Sequence, residues 1–184
     1  HVKEYGLEAY IETRMSDGVS ALYPGEAKIL FCAGMGGRLM QKILTQGKEL
    51  IHSMNELVLQ PQSEVGLFRK FLRQEGYRIV QEDMVYEEGK FYPMMRVIVT
   101  GIDHQVVEEQ NLEDKFGPLL LKEKHPVLMQ YLEETICTYE DILFRVIENN
   151  KNASVRGQEA RERRIQELDR EIEDMKLALF QIKG

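Results

Sequence analysis

With 184 residues, 43% of them hydrophobic and 30% charged, the chain has material for one globular domain plus an exposed helical appendage. No apolar run nears the roughly 18 residues of a membrane helix, and nothing at the N-terminus reads as a signal peptide. A net charge of −7 excludes binding nucleic acid through bulk positive charge, leaving only local basic patches for that purpose.

Residues 1–6 read as the tail of a helix already under way, and the first residue is His1 rather than Met. Further residues upstream are therefore expected. From residue 10 to 101, strand and helix signals alternate, the pattern of a mostly parallel sheet covered by helices. Residues 10–15 predict a short strand ending at Ser16-Asp17-Gly18. Residues 28–33 (KILFCA) are a continuous apolar run, which predicts a central strand buried on both faces. That strand ends at Gly34-Met35-Gly36-Gly37 and an amphipathic helix follows over residues 38–52. A third strand covers 56–59 and is closed by Gln60-Pro61, and a helix follows over 63–75, capped by Gly76. Residues 77–86 and 91–101 predict an antiparallel pair at one edge of the sheet.

Residues 103–111 read as a polar linker, followed by a turn at Phe116-Gly117-Pro118. Beyond it, Met129, Leu132, Ile136, Tyr139, Leu143 and Val146 recur at spacings of three and four, as do Ile165, Leu168, Ile172, Met175, Leu179 and Ile182. Two such seams joined by a loop over 149–154 predict an antiparallel coiled-coil hairpin. The fold expected is thus α/β, with a partial Rossmann-like domain over 1–110 and a helical coiled-coil domain over 111–184.

The cysteines, Cys32 and Cys137, have no CxxC partner, and Cys32 within its apolar run reads as a buried free thiol of a reducing cytoplasm. The four histidines are scattered, so no metal site is expected. Lys151, Arg156, Arg161, Arg163 and Arg164 outnumber Glu159 and Glu162 in their stretch, and Arg69, Lys70 and Arg73 form a second cluster. Both read either as solvated faces or as grips on phosphate.

Ligands of open parallel sheets bind beyond the carboxyl ends of the strands. Three such ends carry small or polar residues here: Ser16-Asp17-Gly18, Ala33-Gly34-Met35-Gly36-Gly37 and Gln60-Pro61-Gln62. They read either as ordinary turns or as the walls of a nucleotide site. A dinucleotide fingerprint is excluded, because Leu39 stands where its third glycine belongs and Gln60 where its ribose-binding acid belongs.

Taken in order, Ser-Asp-Gly, Ala-Gly-Met-Gly-Gly, Leu-Gln-Pro, Gly89-Lys90-Phe91-Tyr92 and Phe116-Gly117-Pro118 resemble the bacterial tRNA (adenine(22)-N1)-methyltransferase family. The resemblance covers nearly the whole chain. It implies a class I methyltransferase domain using S-adenosyl-L-methionine, a C-terminal coiled coil and a cytoplasmic enzyme acting on tRNA. It also implies that two β-α units, each of roughly 30 residues, precede residue 1. The family's acidic catalytic loop would lie there, so no catalytic residue is assigned within this chain, and residues 1–184 alone are expected to bind cofactor poorly. By resemblance, Asp17 and Gly18 would face the cofactor adenine, and Ala33, Gly34, Met35 and Gly36 the sulfonium and the entering base. Gly37, Gln60 and Pro61 would line the base pocket, Arg156, Arg161, Arg163 and Arg164 would hold tRNA, and the coiled coil offers a surface for self-association. The competing readings are a methyltransferase with another acceptor and a non-catalytic scaffold.

Overall fold

A computed structural model describes residues 1–100, 112–148 and 155–184. Its elements are β1 (Ile29–Gly36), α1 (Gly37–Gln46), α2 (Lys48–Ile51), β2 (Glu56–Ser63), α3 (Val65–Gln74), β3 (Tyr77–Glu87) and β4 (Lys90–Val99). Beyond these come α4 (Leu112–Phe116), α5 (Pro118–Lys122), α6 (Pro126–Glu148) and α7 (Val155–Lys183).

The strands form one sheet in the order β1-β2-β4-β3. β1 and β2 are parallel, with Phe31 beside Val58 and Ala33 beside Gln60, and α1 supplies the crossover that parallel strands require. β4 runs antiparallel to both neighbours. Glu88 and Gly89 join β3 to β4 with φ of 49° and 77°, the left-handed pair that a two-residue hairpin demands. Gly76 closes α3 with φ 77°.

Met40 and Leu44 of α1 and Phe68 and Leu72 of α3 are buried with Leu57, Leu59, Met95 and Val97 of the sheet, forming the first core. A second core joins Phe116, Leu120 and Leu121 to Leu128, Leu132 and Ile136 of α6 and to Ile172, Met175 and Ile182 of α7. Met84 of β3 belongs to it, so the helices are seated directly on the sheet. α6 and α7 run antiparallel, as the pairs Lys183–Glu133 (2.7 Å) and Lys176–Glu140 (2.6 Å) establish. No described helix is long and apolar enough to cross a membrane.

Several expectations need correction. Residues 10–15 are irregular chain that leaves a turn at Tyr10, not a strand, and Tyr10 and Met15 are exposed. A strand needs a neighbour to satisfy its backbone groups, and β1, the nearest edge, pairs only with β2 among the described residues. Among the described residues β1 stands at the edge of the sheet, with Cys32 buried and Phe31 on the opposite face 72% exposed. β1 and β2 each extend past their expected ends, to Gly36 and Ser63. The helix expected over 38–52 is broken at Gly47, where a Cβ would stand 2.3 Å from Val19 Cγ2. The linker over 103–111 and the loop over 149–154 lie outside the described residues.

Candidate cofactor and substrate site

The ends of β1 and β2 meet. Their register slips between Ala33 and Met35, and Gly34 absorbs the bulge with φ 76°, a conformation natural only to glycine. The freed Gly34 N–H donates to Gln60 Oε1 at 2.8 Å, tying one strand end to the other. Ala33 and Gly34 are exposed, and a Cβ on Gly34 would meet nothing nearer than Gln62 Nε2, at 3.9 Å. The result is a flat backbone surface bordered by two amide side chains.

The remaining glycines differ. A Cβ on Gly36 would stand 3.0 Å from the Ser63 hydroxyl, which can turn away. On Gly37 it would stand 2.7 Å from the Ser63 carbonyl and 3.3 Å from that of Glu64, so α1 starts at this point only because no side chain is there. Gly37 and Pro61 are buried, which sets both behind the exposed surface. Cys32 is also buried beneath it, with its thiol 3.7 Å from Met35 Sδ, and burial pushes its pKa up. Arg38 Nε meets Glu64 Oε1 at 2.7 Å and links the starts of α1 and α3.

Asp17 does not stand at a strand end, because its expected strand is absent. Its carboxylate is 82% exposed and lies 3.8 Å from Lys42 Nζ. Gly18, with φ 62°, packs beside Ile43, and the two residues border a cavity of about 800 Å³ along α1. Two of the three expected strand ends therefore converge, and the third segment flanks the helix that leaves them.

The arginines of α7 divide. Arg161 donates from Nε to the Val146 carbonyl at 2.8 Å and from Nη2 to that of Ile147 at 2.7 Å, capping the C-terminus of α6. Arg163 is exposed and reaches the Glu159 carbonyl, and Arg164 pairs with Glu167 at 3.3 Å. The side chain of Arg156 lies outside the described residues.

The second basic cluster is not a solvated face. Arg69 is buried against Glu82, and Arg73 Nη2 meets Asp114 Oδ2 at 2.6 Å. Residue type and spacing hold no signal for this, because Glu82 is 13 residues away on another element. Gln62, in the third of the expected strand ends, lies two residues after Gln60 and so shares its face of β2.

Comparison with known proteins follows the same lines. The family model described as tRNA (adenine(22)-N(1))-methyltransferase matches residues 1–176. The Bacillus subtilis enzyme of that description is 33% identical over 147 residues, which are 77% of this chain and 61% of that enzyme. The chain thus spans about three fifths of that relative's length. A solved structure of an uncharacterized Listeria monocytogenes protein superposes with a TM-score of 0.81 at 27% identity, covering 97% of this chain and 74% of that one. A putative tRNA (m1A22) methyltransferase of Streptococcus pneumoniae, solved in complex with S-adenosyl-L-methionine, gives 0.76 at 27% identity, covering 97% and 72%. Matched along nearly its whole length, the chain belongs to the tRNA (adenine(22)-N(1))-methyltransferase family.

Proposed function

We propose that the protein transfers a methyl group from S-adenosyl-L-methionine to N1 of the adenine at position 22 of tRNA. The observation that carries this reading is the family match over residues 1–176, within which Ala33 to Gly37 and Leu59 to Pro61 lie side by side at one end of the sheet. The residues present fit the cofactor there, because the exposed backbone at Ala33 and Gly34 leaves room for a flat group to approach closely. When bound, the cofactor supplies an electrophilic methyl group on sulfur.

The chain's own residues bind and orient. Asp17 and Gly18 hold the adenosyl end, and Ala33, Gly34, Met35 and Gly36 line the space between donor and base. Gln60 and Gln62 offer amides to the edge of the entering base. Neutral adenine carries a lone pair on N1, so alignment and exclusion of water contribute more here than removal of a proton. Residues 1–110 form part of the methyltransferase domain and 111–184 a helical part that contacts tRNA through Arg163 and Arg164 and offers a surface for self-association. A tRNA-modifying enzyme of this kind works in the cytoplasm.

The test is methylation of purified tRNA by the full-length protein with labelled cofactor, followed by digestion and identification of the nucleoside. We expect 1-methyladenosine at position 22. Label in another nucleoside, or at another position, overturns the assignment.

A further inference from the structure

Beside the strand ends lies a cavity of about 170 Å³ between α3, the β3–β4 hairpin and α6. Its walls include Gln62, Arg69, Phe91 and Tyr131, together with the buried Met84 and Pro93. Gln62 is the exposed wall residue, so the cavity opens at the end of β2. The Gln62 amide nitrogen also lies 3.9 Å from where a Cβ on Gly34 would stand, which makes this side chain a shared border of the cavity and the proposed methyl-transfer surface.

Three rings form a row at this place. Tyr86, 42% exposed, lies 4.6 Å from Phe91 between centroids, and Phe91 lies edge-on to Tyr131 at 5.2 Å. Half-buried rings beside an amide with both donor and acceptor are the groups that read an unstacked RNA base.

We infer that this cavity receives the nucleobase next to the target adenine. The inference rests on the tRNA reading above and deepens it. Drawing one base out of a stack to be methylated also strips its neighbour of a stacking partner. A ring-lined cavity bordered by the same Gln62 restores that stacking one nucleotide away. It thereby favours RNA whose neighbouring base is free to leave the helix.

The test pairs variants with tRNA carrying a single abasic site on either side of the target. Wild-type protein is expected to bind one of these abasic tRNAs about five- to a hundredfold more weakly than intact tRNA, the range for loss of one stacked base. Phe91→Leu and Tyr131→Leu should bind intact tRNA more weakly by a similar factor and be indifferent to that abasic site. Tyr131→Phe keeps its ring and should behave as wild type. Gln62→Ala, on an exposed residue outside both cores, guards against misfolding and should also lose part of the discrimination. Losses that simply add, in variants that melt normally, overturn the pocket and leave a packing cavity only. Methylation at position 22 that persists with uncoupled losses overturns this inference alone, whereas a protein that neither binds nor methylates tRNA overturns the functional reading with it.

Discussion

Arg69 Nε of α3 donates to Glu82 Oε1 of β3 at 2.8 Å, with the two side chains 2% and 0% exposed. Arg69 Nη1 donates to the carbonyls of Asp114 and Lys115, and Glu82 Oε2 accepts the Leu119 N–H at 2.9 Å. One ion pair therefore joins α3, the sheet, α4 and α5, and through them seats the helical hairpin. Gly117 completes the arrangement, since a Cβ there would stand 2.8 Å from both Glu82 oxygens.

Removing one partner leaves the other charged and buried, a loss of about 3–5 kcal/mol. Glu82→Ala should lower the melting temperature sharply. Arg69→Met with Glu82→Leu should recover much of that loss, because apolar side chains suit the same space. Thermal melting of both variants checks this, and a Glu82→Ala protein as stable as wild type would show that the hairpin is seated by other contacts.

Gly36 and Gly37 should respond differently to the same change. Gly37→Ala drives a methyl group against backbone carbonyls that cannot turn aside, with an expected cost of about 1–3 kcal/mol. Gly36→Ala meets only a hydroxyl and should melt close to wild type. The larger Gly36→Val is expected to reduce methylation more than cofactor affinity, because misplaced reactants lose rate on the order of a hundredfold. Melting and single-turnover methylation, measured side by side, distinguish these outcomes.

Asp17 is exposed, so Asp17→Ala should leave the melting temperature unchanged. If its carboxylate holds the cofactor, the dissociation constant for S-adenosyl-L-methionine should rise about tenfold in calorimetric titration of the full-length protein, the effect of removing one hydrogen bond to a charged group. Unchanged affinity would reduce Asp17 to a turn residue paired with Lys42.

The arginines of α7 should separate into two kinds. Arg161→Ala exposes two carbonyls of α6 and should destabilise the hairpin, read by melting, with tRNA affinity per folded molecule retained. Arg163→Gln and Arg164→Gln should melt normally, weaken tRNA binding and flatten its dependence on salt by about 0.7–0.9 in log–log slope for each phosphate no longer neutralised. Equal salt slopes for wild type and the double variant would remove these two residues from the tRNA surface.

The sequence by itself determined the elements whose signals are local. The apolar stripes over 129–146 and 165–182 became α6 and α7, Glu88-Gly89 became the hairpin turn, and Gly76 became a helix cap, because each depends on periodicity or on backbone freedom at a single residue. The order of the motif segments was legible too, and with it the family. Tertiary structure decided what depends on neighbours distant in sequence. Residues 10–15 carry a strand's composition but find no strand partner among the described residues, and the Tyr10 and Ile11 N–H groups turn back to the Leu7 carbonyl instead. Phe31 sits in an apolar run yet is exposed among the described residues, since the run does not encode which element covers each of its faces. Arg69 and Arg161 look like surface cations in sequence, and become a buried pin and a helix cap only when Glu82 and the end of α6 are brought to them. Gln62 acquires its place between Gly34 and the ring-lined cavity from the pairing of β1 with β2, a register that no local signal specifies.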